Sequence, residues 1–329
     1  IPLDDKDTMS IFTSSKVLGY ENDPILGPTG AVAIPEFNTR FTRGMLMDTM
    51  PTRFDTLLRL SGFSHGTDVW LGNAKDLILS GTASVKETVG CRDDIMLFLI
   101  EKGMEPKMAF KIMEAVRKGK VKKGGFQEGW VEKMQELGVP QWYIESLAKI
   151  AYLFPKAHAV AYVMMAFRIA WFKVHEPLAF YSAYFYRKSQ KGGFDAVLMT
   201  HGKDAVVANI DAIENNENAT DKDVDLLTTL EVAYEYYIRG FEFLPISIYD
   251  SHATKFIIKD GKLLPPFVAI SGLGENAAWD LMRGREGKTF LSVEEVAAAC
   301  PKVSKTHIQM LREAGAFGDL PDTSQVSFF

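Results

Sequence analysis

The chain has 329 residues, of which 47% are apolar and 24% charged, and carries a net charge of −5. That length suits about two domains, and the balance is ordinary for a globular protein with a real core. Its two cysteines, Cys91 and Cys300, lie far apart, which fits a reducing cytoplasm and excludes a disulfide framework or a cysteine-based metal site.

Helix dominates in chain order. The segment DDIMLFLIEKG has apolar residues at helical spacing and stops at Gly103, a suitable residue just past a helix end. EPKMAFKIMEAVRKGK follows, with Pro106 suited to its first turn. PQWYIESLAKIAYLF predicts a third helix and AHAVAYVMMAFRIAWFKVH a fourth. The apolar stretch Ala159 to Phe172 is too short to cross a bilayer and is interrupted by Arg168, so a core helix is expected and no membrane partner. Further helices are expected over LAFYSAYFYRKS and from Asp204 to Glu217, before a polar loop NNENATDKD. Near Glu231 the pattern turns to alternation, with a hairpin signal at Asp260–Gly261. A domain boundary is therefore expected between Leu230 and Phe241. Short helices close the chain at Glu275–Arg285, Ser292–Ala299 and Ser304–Ala314. The fold class is mainly α with a small α+β C-terminal part. Ile1 opens on IPLDDKDTMSIF, which reads as sequence from the middle of a longer protein.

Four stretches carry chemistry. Between Lys107 and Lys123 stand seven basic residues, including Lys111, Arg117 and Lys120, against the single acid Glu114. The glycines of RKGKVKKGG predict a flexible basic loop at a helix end, which is either a solvated face or a phosphate grip. FPKAHAVAY places Lys156 and His158 in a first helical turn, where free N–H groups and the helix dipole favour an anion. Two basic side chains there call for something negative among them, which is a reason to expect phosphate. His158 and Tyr162 are four apart and share a face, so the phenol could stack on a base or sugar. SGFSHGTDVWLGN, with Ser64, His65, Gly66 and Thr67, reads as a turn that could touch a ligand. ISGLGENAAWDLM, with Gly272, Leu273 and Gly274 before a helix, has the pattern of a helix-hairpin-helix unit, whose N–H groups meet DNA phosphate without reading sequence. Neither Asp4–Asp5 nor Asp93–Asp94 has the disposition of a two-metal site, since adjacent residues point different ways. The sequence holds no Walker loop, nucleophile elbow or dinucleotide fingerprint. The last residues, SQVSFF, put two aromatic rings behind a polar stretch broken by Pro321. An extended tail is expected, whose rings either fold back or dock in a partner's pocket.

The segments IPEFNTRF, SGFSHGTDVWLGNA, GCRDDIM, AFKIMEAVRKGK, FPKAHAVAYVMMAFRIAWFKVH, PPFVAISGLGENAA and QVSFF, in this order, closely resemble the PolC-type DNA polymerase III alpha subunit, a family C replicative polymerase. The resemblance runs from Ile1 to Phe329 and implies a C-terminal fragment: fingers over residues 1–235, a helix-hairpin-helix duplex-binding domain over 236–318, and a flexible clamp-binding tail over 319–329. It implies DNA-directed DNA polymerase activity for the full-length enzyme, in a nucleoid-associated cytoplasmic protein. The fragment alone would be inactive, because the palm aspartates that hold Mg²⁺ lie outside it; no catalytic or metal residue is expected here. Implied contacts to the incoming dNTP's triphosphate are Arg117, Lys120, Lys156 and His158, with Arg92 and Lys111 beside them. Tyr162 and Ser64, His65, Gly66 and Thr67 would lie near the nascent base pair. Arg40 and Arg43 would meet primer–template phosphates, and Gly272, Leu273 and Gly274 the duplex backbone. Gln325, Val326, Ser327, Phe328 and Phe329 resemble the motif that binds the sliding clamp, with Val326 and Phe328 where leucines are usual. Other replisome subunits are implied as partners. The alternative is a stand-alone, non-catalytic DNA- and clamp-binding module; a helical scaffold with no nucleic-acid role is a third class.

Overall fold

The computed structural model describes residues 1–324. The chain divides into two compact units, one of Ile1–Asp23 with Gly27–Trp171, the other of Pro24–Leu26 with the chain from Phe172 onward.

The first unit holds α1 (Lys6–Ser10), α2 (Arg40–Thr49), α3 (Phe54–His65), α4 (Lys75–Leu79), α5 (Arg92–Glu101), α6 (Pro106–Arg117), α7 (Lys120–Gly124), α8 (Trp130–Glu136), α9 (Gln141–Lys149) and the larger part of α10 (Lys156–His175). Helices α5 and α6 pack as a pair, α6 on α7, and α7 on α9. The start of α6 is set locally: Pro106 needs no donor there, and the Glu105 carboxylate accepts from the N–H groups of Lys107 and Met108. The apolar faces meet in a core whose rings include Phe12, Phe37 and Phe167, with Phe12 and Phe37 edge to face at 5.2 Å.

Several expectations for this unit change. The basic stretch after Arg117 is not a loop. Gly119 takes φ +66° and breaks α6, and Val121, buried against the unit, then closes the short helix α7. IAYLF does not continue α9; Ile150 is extended and the chain runs on without helix to Phe154. Ser64 and His65 belong to the end of α3 and not to a turn. Helix α10 covers the expected AHAVAYVMMAFRIAWFKVH and begins one residue earlier, at Lys156. Its 20 residues make it long and apolar enough to cross a membrane, although Ala159, Val163, Ala166, Phe167 and Ala170 are buried in the fold.

The second unit continues with α11 (Pro177–Ser189), α12 (Ala196–Met199), α13 (Lys203–Glu214), α14 (Asp221–Ile238), β1 (Ile257–Lys259), β2 (Lys262–Leu264), α15 (Glu275–Gly284), α16 (Val293–Ala299) and α17 (Lys305–Glu313). The strands form an antiparallel hairpin in which Ile257 faces Leu264 and Lys259 faces Lys262. Asp260 and Gly261, both at positive φ, make the two-residue turn that matches strand twist. The long helix α14 has no counterpart among the sequence expectations, and the expected boundary at residues 235–236 falls inside it. Its start is a capping box: Thr220 accepts from the Asp223 N–H, and the Asp223 carboxylate accepts from the Thr220 N–H. Rings of Tyr181, Phe185, Phe194, Tyr236, Phe243 and Phe256 build the core here, with Tyr236 and Phe243 at 4.6 Å.

Candidate functional site

The short extended segment Ala151–Phe154 organises the first unit's site, because backbone hydrogen bonds hold it on three sides. Thr67 and Tyr152 form an antiparallel bridge, with the Thr67 N–H donating to Tyr152 O at 3.0 Å. The Leu153 N–H donates to Arg117 O at 3.2 Å, and the Arg92 N–H donates to Phe154 O at 3.0 Å. One strand-like stretch thus collects the end of α3, the end of α6, the start of α5 and, through Pro155, the start of α10. Ser64 to Thr67, Arg92, Arg117, and Lys156 with His158 are brought together from four parts of the sequence. Gly119 lets the α6 end approach so closely: a Cβ there would stand 2.5 Å from Ala151 O.

The anion expected at the start of α10 is supplied by the protein. The Lys156 N–H donates to Asp93 Oδ2 at 2.8 Å, and Lys156 Nζ stands 3.6 Å from Asp94 Oδ1. The second oxygen of Asp94 accepts from the N–H groups of Gly90 and Cys91 and from the Arg59 guanidinium at 3.1 Å. The adjacent aspartates point different ways, as expected, and each joins two segments. The helix start therefore does not by itself require a phosphate. Burial, with Asp94 adding to it, pushes the Cys91 thiol up to about 12, so this cysteine stays protonated and inert.

Arg117 is also engaged. Its guanidinium grips the Glu114 carboxylate through both Nε and a terminal nitrogen, and Lys118 reaches the same carboxylate at 2.8 Å. These hydrogen bonds, Arg117's first, hold the Glu114 carboxyl at about 2. Lys122 pairs with Asp68 at 2.6 Å. Lys120 opens α7 and is exposed. Lys111 is exposed on α6 but lies six residues before Arg117, roughly 9 Å along the axis, and is not part of the hub.

Along α10 runs a ladder of rings. Phe154 meets His65 at 5.3 Å, Tyr152 at 5.6 Å and His158 at 4.9 Å, and His158 meets Tyr162 at 4.4 Å. Glu36 bonds the far side of His65. Tyr162 is 42% exposed, and Met165 continues the open face one turn on, so a flat apolar surface lies beside Lys156. On the other side of Lys156 a cavity of about 600 Å³ is lined by Arg53, Arg59, Lys86 and Asp94. Arg40 is exposed and Arg43 half-buried on α2, and no backbone bond ties that helix to the hub segment Ala151–Phe154. Sequence reading missed Asp93, Asp94, Arg59 and Phe154. The one available signal was the odd placement of two acids just before an apolar helix.

In the second unit the hairpin glycines sit between a helical turn, Phe267–Ala269, and α15. Gly272 takes φ +89° and Gly274 is the N-cap of α15, so the first N–H groups of that helix have no intrahelical partner. Leu273 has a different part from its neighbours. Its side chain is buried and its N–H donates to Ile270 O at 3.0 Å, which makes it the hairpin's anchor and not a group open to a ligand. Pro321 and Asp322, expected in a free tail, are bonded: Pro321 O accepts from the Val293 N–H at 2.9 Å, and Arg312 pairs with Asp322. Gln325 to Phe329 lie outside the described residues. Among the described residues no group of three or more His, Cys, Asp and Glu side chains is placed to hold a metal ion.

Two family profiles match the chain. Residues 1–138 match the bacterial DNA polymerase III alpha subunit finger domain, and residues 240–325 match a helix-hairpin-helix motif. Over its whole length the chain is 50% identical to the DNA polymerase III PolC-type of Caldanaerobacter subterraneus subsp. tengcongensis, of which it covers 23%. It is 50% identical to that of Thermotoga maritima, covering 24%, and 49% identical to that of Bacillus cereus, covering 22%. The chain thus spans about a quarter of the length of the curated relatives it matches.

Proposed function

We propose, for a chain homologous from end to end to part of PolC-type DNA polymerase III, that it supplies a replicative DNA polymerase with its triphosphate-facing surface, its duplex grip and its tether. The observation that carries this reading is the backbone stitching of Thr67, Arg92 and Arg117 to the segment Ala151–Phe154. It concentrates cations from separate helices beside an exposed aromatic ladder. Lys156, His158, Arg117 and Lys120 neutralise the triphosphate, with Arg92 beside them and Lys111 further out. Tyr162 and the Ser64–Thr67 segment face the nascent base pair. Positive charge that stabilises the leaving phosphates is a large part of phosphoryl-transfer catalysis. On binding substrate, Arg117 exchanges some of its hold on Glu114 for phosphate.

The two-metal chemistry belongs to carboxylates outside this chain. Asp93 and Asp94 are committed to N–H groups and cations, so they do not fit as Mg²⁺ ligands, and no step is routed through them. Fingers extend to about residue 235, the duplex-binding domain to 318, and the tail to 329, in a cytoplasmic protein working at the nucleoid with other replisome subunits. Arg40 and Arg43 meet primer–template phosphates. The N–H groups about Gly272 and Gly274 meet duplex phosphate, a contact that positions DNA without reading sequence.

Filter retention of a labelled dNTP, with primer–template DNA present, tests the main claim. Lys156→Ala and Arg117→Ala are each expected to weaken dNTP retention about tenfold, the loss of one charged contact to phosphate, while Lys133→Ala, on α8, leaves it alone. The wild-type chain is expected to extend no primer. Unchanged binding in both site variants, or primer extension by the chain alone, sinks the reading.

The tether is the terminal segment Gln325–Phe329. Two rings and a valine give several kcal/mol of gross burial, less the cost of ordering, which corresponds to roughly micromolar affinity. That suffices, because the polymerase is also held on DNA and effective concentration adds the rest. A fluorescent peptide of residues 318–329 is expected to bind the bacterial sliding clamp, and its Phe328→Ala/Phe329→Ala form is not. Equal binding of the two peptides, or none by either, removes the tether while leaving the rest standing.

A further inference from the structure

The second unit holds another cationic hollow, at the far end of α15 from the hairpin glycines. It has a volume of about 440 Å³ and is lined by Tyr249, Trp279, Arg283, Arg285, Glu286 and Lys288. Three cations face it against one carboxylate. That size lies in the range of small-ligand sites, about 300–1,000 Å³.

Its walls are fixed, and two of its three cations are loose. The Trp279 indole N–H donates to Glu275 Oε1 at 3.0 Å, and its ring meets His252 edge to face at 5.3 Å. Tyr249 is 42% exposed, yet it stacks on Phe290 at 6.2 Å and its hydroxyl accepts from the Phe290 N–H at 3.1 Å. Arg285 donates to Ile248 O at 2.8 Å and lies over the Phe267 ring at 5.6 Å. Arg283, by contrast, has a 58% exposed side chain that only approaches Asp280, at 3.6 Å, and Lys288 is exposed. Rigid aromatic surfaces beside mobile cations are what a base and its phosphate require. Base–aromatic stacking accepts any base, but it needs an unpaired one, because both faces of a base in duplex are already covered. Three of the four charged side chains at the hollow are cations, which suits phosphate oxygens.

We propose that this hollow binds an unpaired nucleotide of single-stranded DNA, with the base on Trp279 and Tyr249 and the phosphate between Arg283 and Lys288. The inference goes beyond the duplex grip at Gly272–Gly274 and shares with it only the premise that this unit meets DNA. It gives the unit two distinct contacts at opposite ends of one helix, one for paired and one for unpaired DNA.

Fluorescence anisotropy of the full 329-residue chain with a short labelled oligothymidylate, and separately with a hairpin duplex, tests it. Trp279→Ala is expected to weaken oligothymidylate binding about tenfold and to leave duplex binding within about twofold. Arg283→Ala/Lys288→Ala, both surface changes, is expected to weaken oligothymidylate binding and to lower its salt slope by about 1.4, two charges at the single-strand value. An oligothymidylate affinity unchanged in the double variant overturns the proposal even if Trp279→Ala fails to fold. So does an equal loss on both ligands, which would make the hollow a duplex phosphate contact. Absence of oligothymidylate binding by the wild-type chain overturns it too, while retained duplex binding would leave the hairpin reading intact.

Discussion

Glu235→Gln is expected to cost the second unit about 3–5 kcal/mol, the penalty for leaving one buried charge without its partner. Lys173 and Glu235 are fully buried, with Lys173 Nζ at 2.8 Å from Oε1 and 2.9 Å from Oε2. The Tyr181 hydroxyl donates to Oε1 at 2.5 Å. Arg239, one turn beyond Glu235 on the same side of α14, donates to Tyr181 Oη at 3.1 Å and to Lys173 O at 3.0 Å. Its guanidinium also lies 5.5 Å from the centres of the Tyr181 and Phe241 rings. Gln fills the same space and can still accept a hydrogen bond, so the change isolates the charge. Lys173 then holds an ammonium in a low-dielectric interior, and the network that joins the last turn of α10 to α11 and α14 loses its centre. Paired replacement, Lys173→Met/Glu235→Leu, removes both charges and is expected to recover most of the loss, because the desolvation of the two ions disappears with them. Urea unfolding followed by circular dichroism measures each step. A Glu235→Gln protein within about 1 kcal/mol of wild type would mean that water or a neighbour already compensates Lys173.

No local pattern of residues betrays this network, and the reason is general to the chain. Features set by neighbours within one turn were legible. Pro106 and Gly103 bracket α6 and α5, Asp260–Gly261 marks the hairpin, and His158 and Tyr162 share a face because they are four apart. Features set by distant partners were not. Ile150–Phe154 looks like more helix, and only Thr67, Arg92 and Arg117 draw it out straight. Lys173 reads as the basic end of a helix until Glu235 is folded over it. Asp93 is one of an adjacent acidic pair until the Lys156 N–H, 63 residues later, reaches its carboxylate. The missed helix α14 is the exception, since its capping box, Thr220 with Asp223, stood in plain sight within a segment taken for loop. The candidate site shows the same division. Its cationic residues could be named because cations at helix ends are visible locally, whereas the acids already bonded to them were hidden by distance.

Gly119→Ala should then do more damage than any other single methyl group added to the basic stretch. A Cβ at residue 119 would stand 2.5 Å from Ala151 O and 3.2 Å from both Ala151 C and Cα, all backbone atoms that cannot swing aside. Gly129, ten residues on, has a similar left-handed backbone, φ +81° against +66°, but nothing within 4 Å of its Cβ position. Gly129→Ala therefore carries only the left-handed strain, about 1–2 kcal/mol. Gly119→Ala carries that strain and must also push Ala151 away from the end of α6, for a total of about 2–4 kcal/mol. The displacement acts where Leu153 accepts its position from Arg117 O, so Arg117 and Lys156 should drift apart. Retention of a labelled dNTP should fall in Gly119→Ala and hold in Gly129→Ala under conditions where both remain folded. Urea midpoints and filter binding on the two variants separate the effects. Equal destabilisation would mean that Ala151 yields freely. A large stability gap with unchanged dNTP retention would show that the stitched segment supports the fold without positioning the cations.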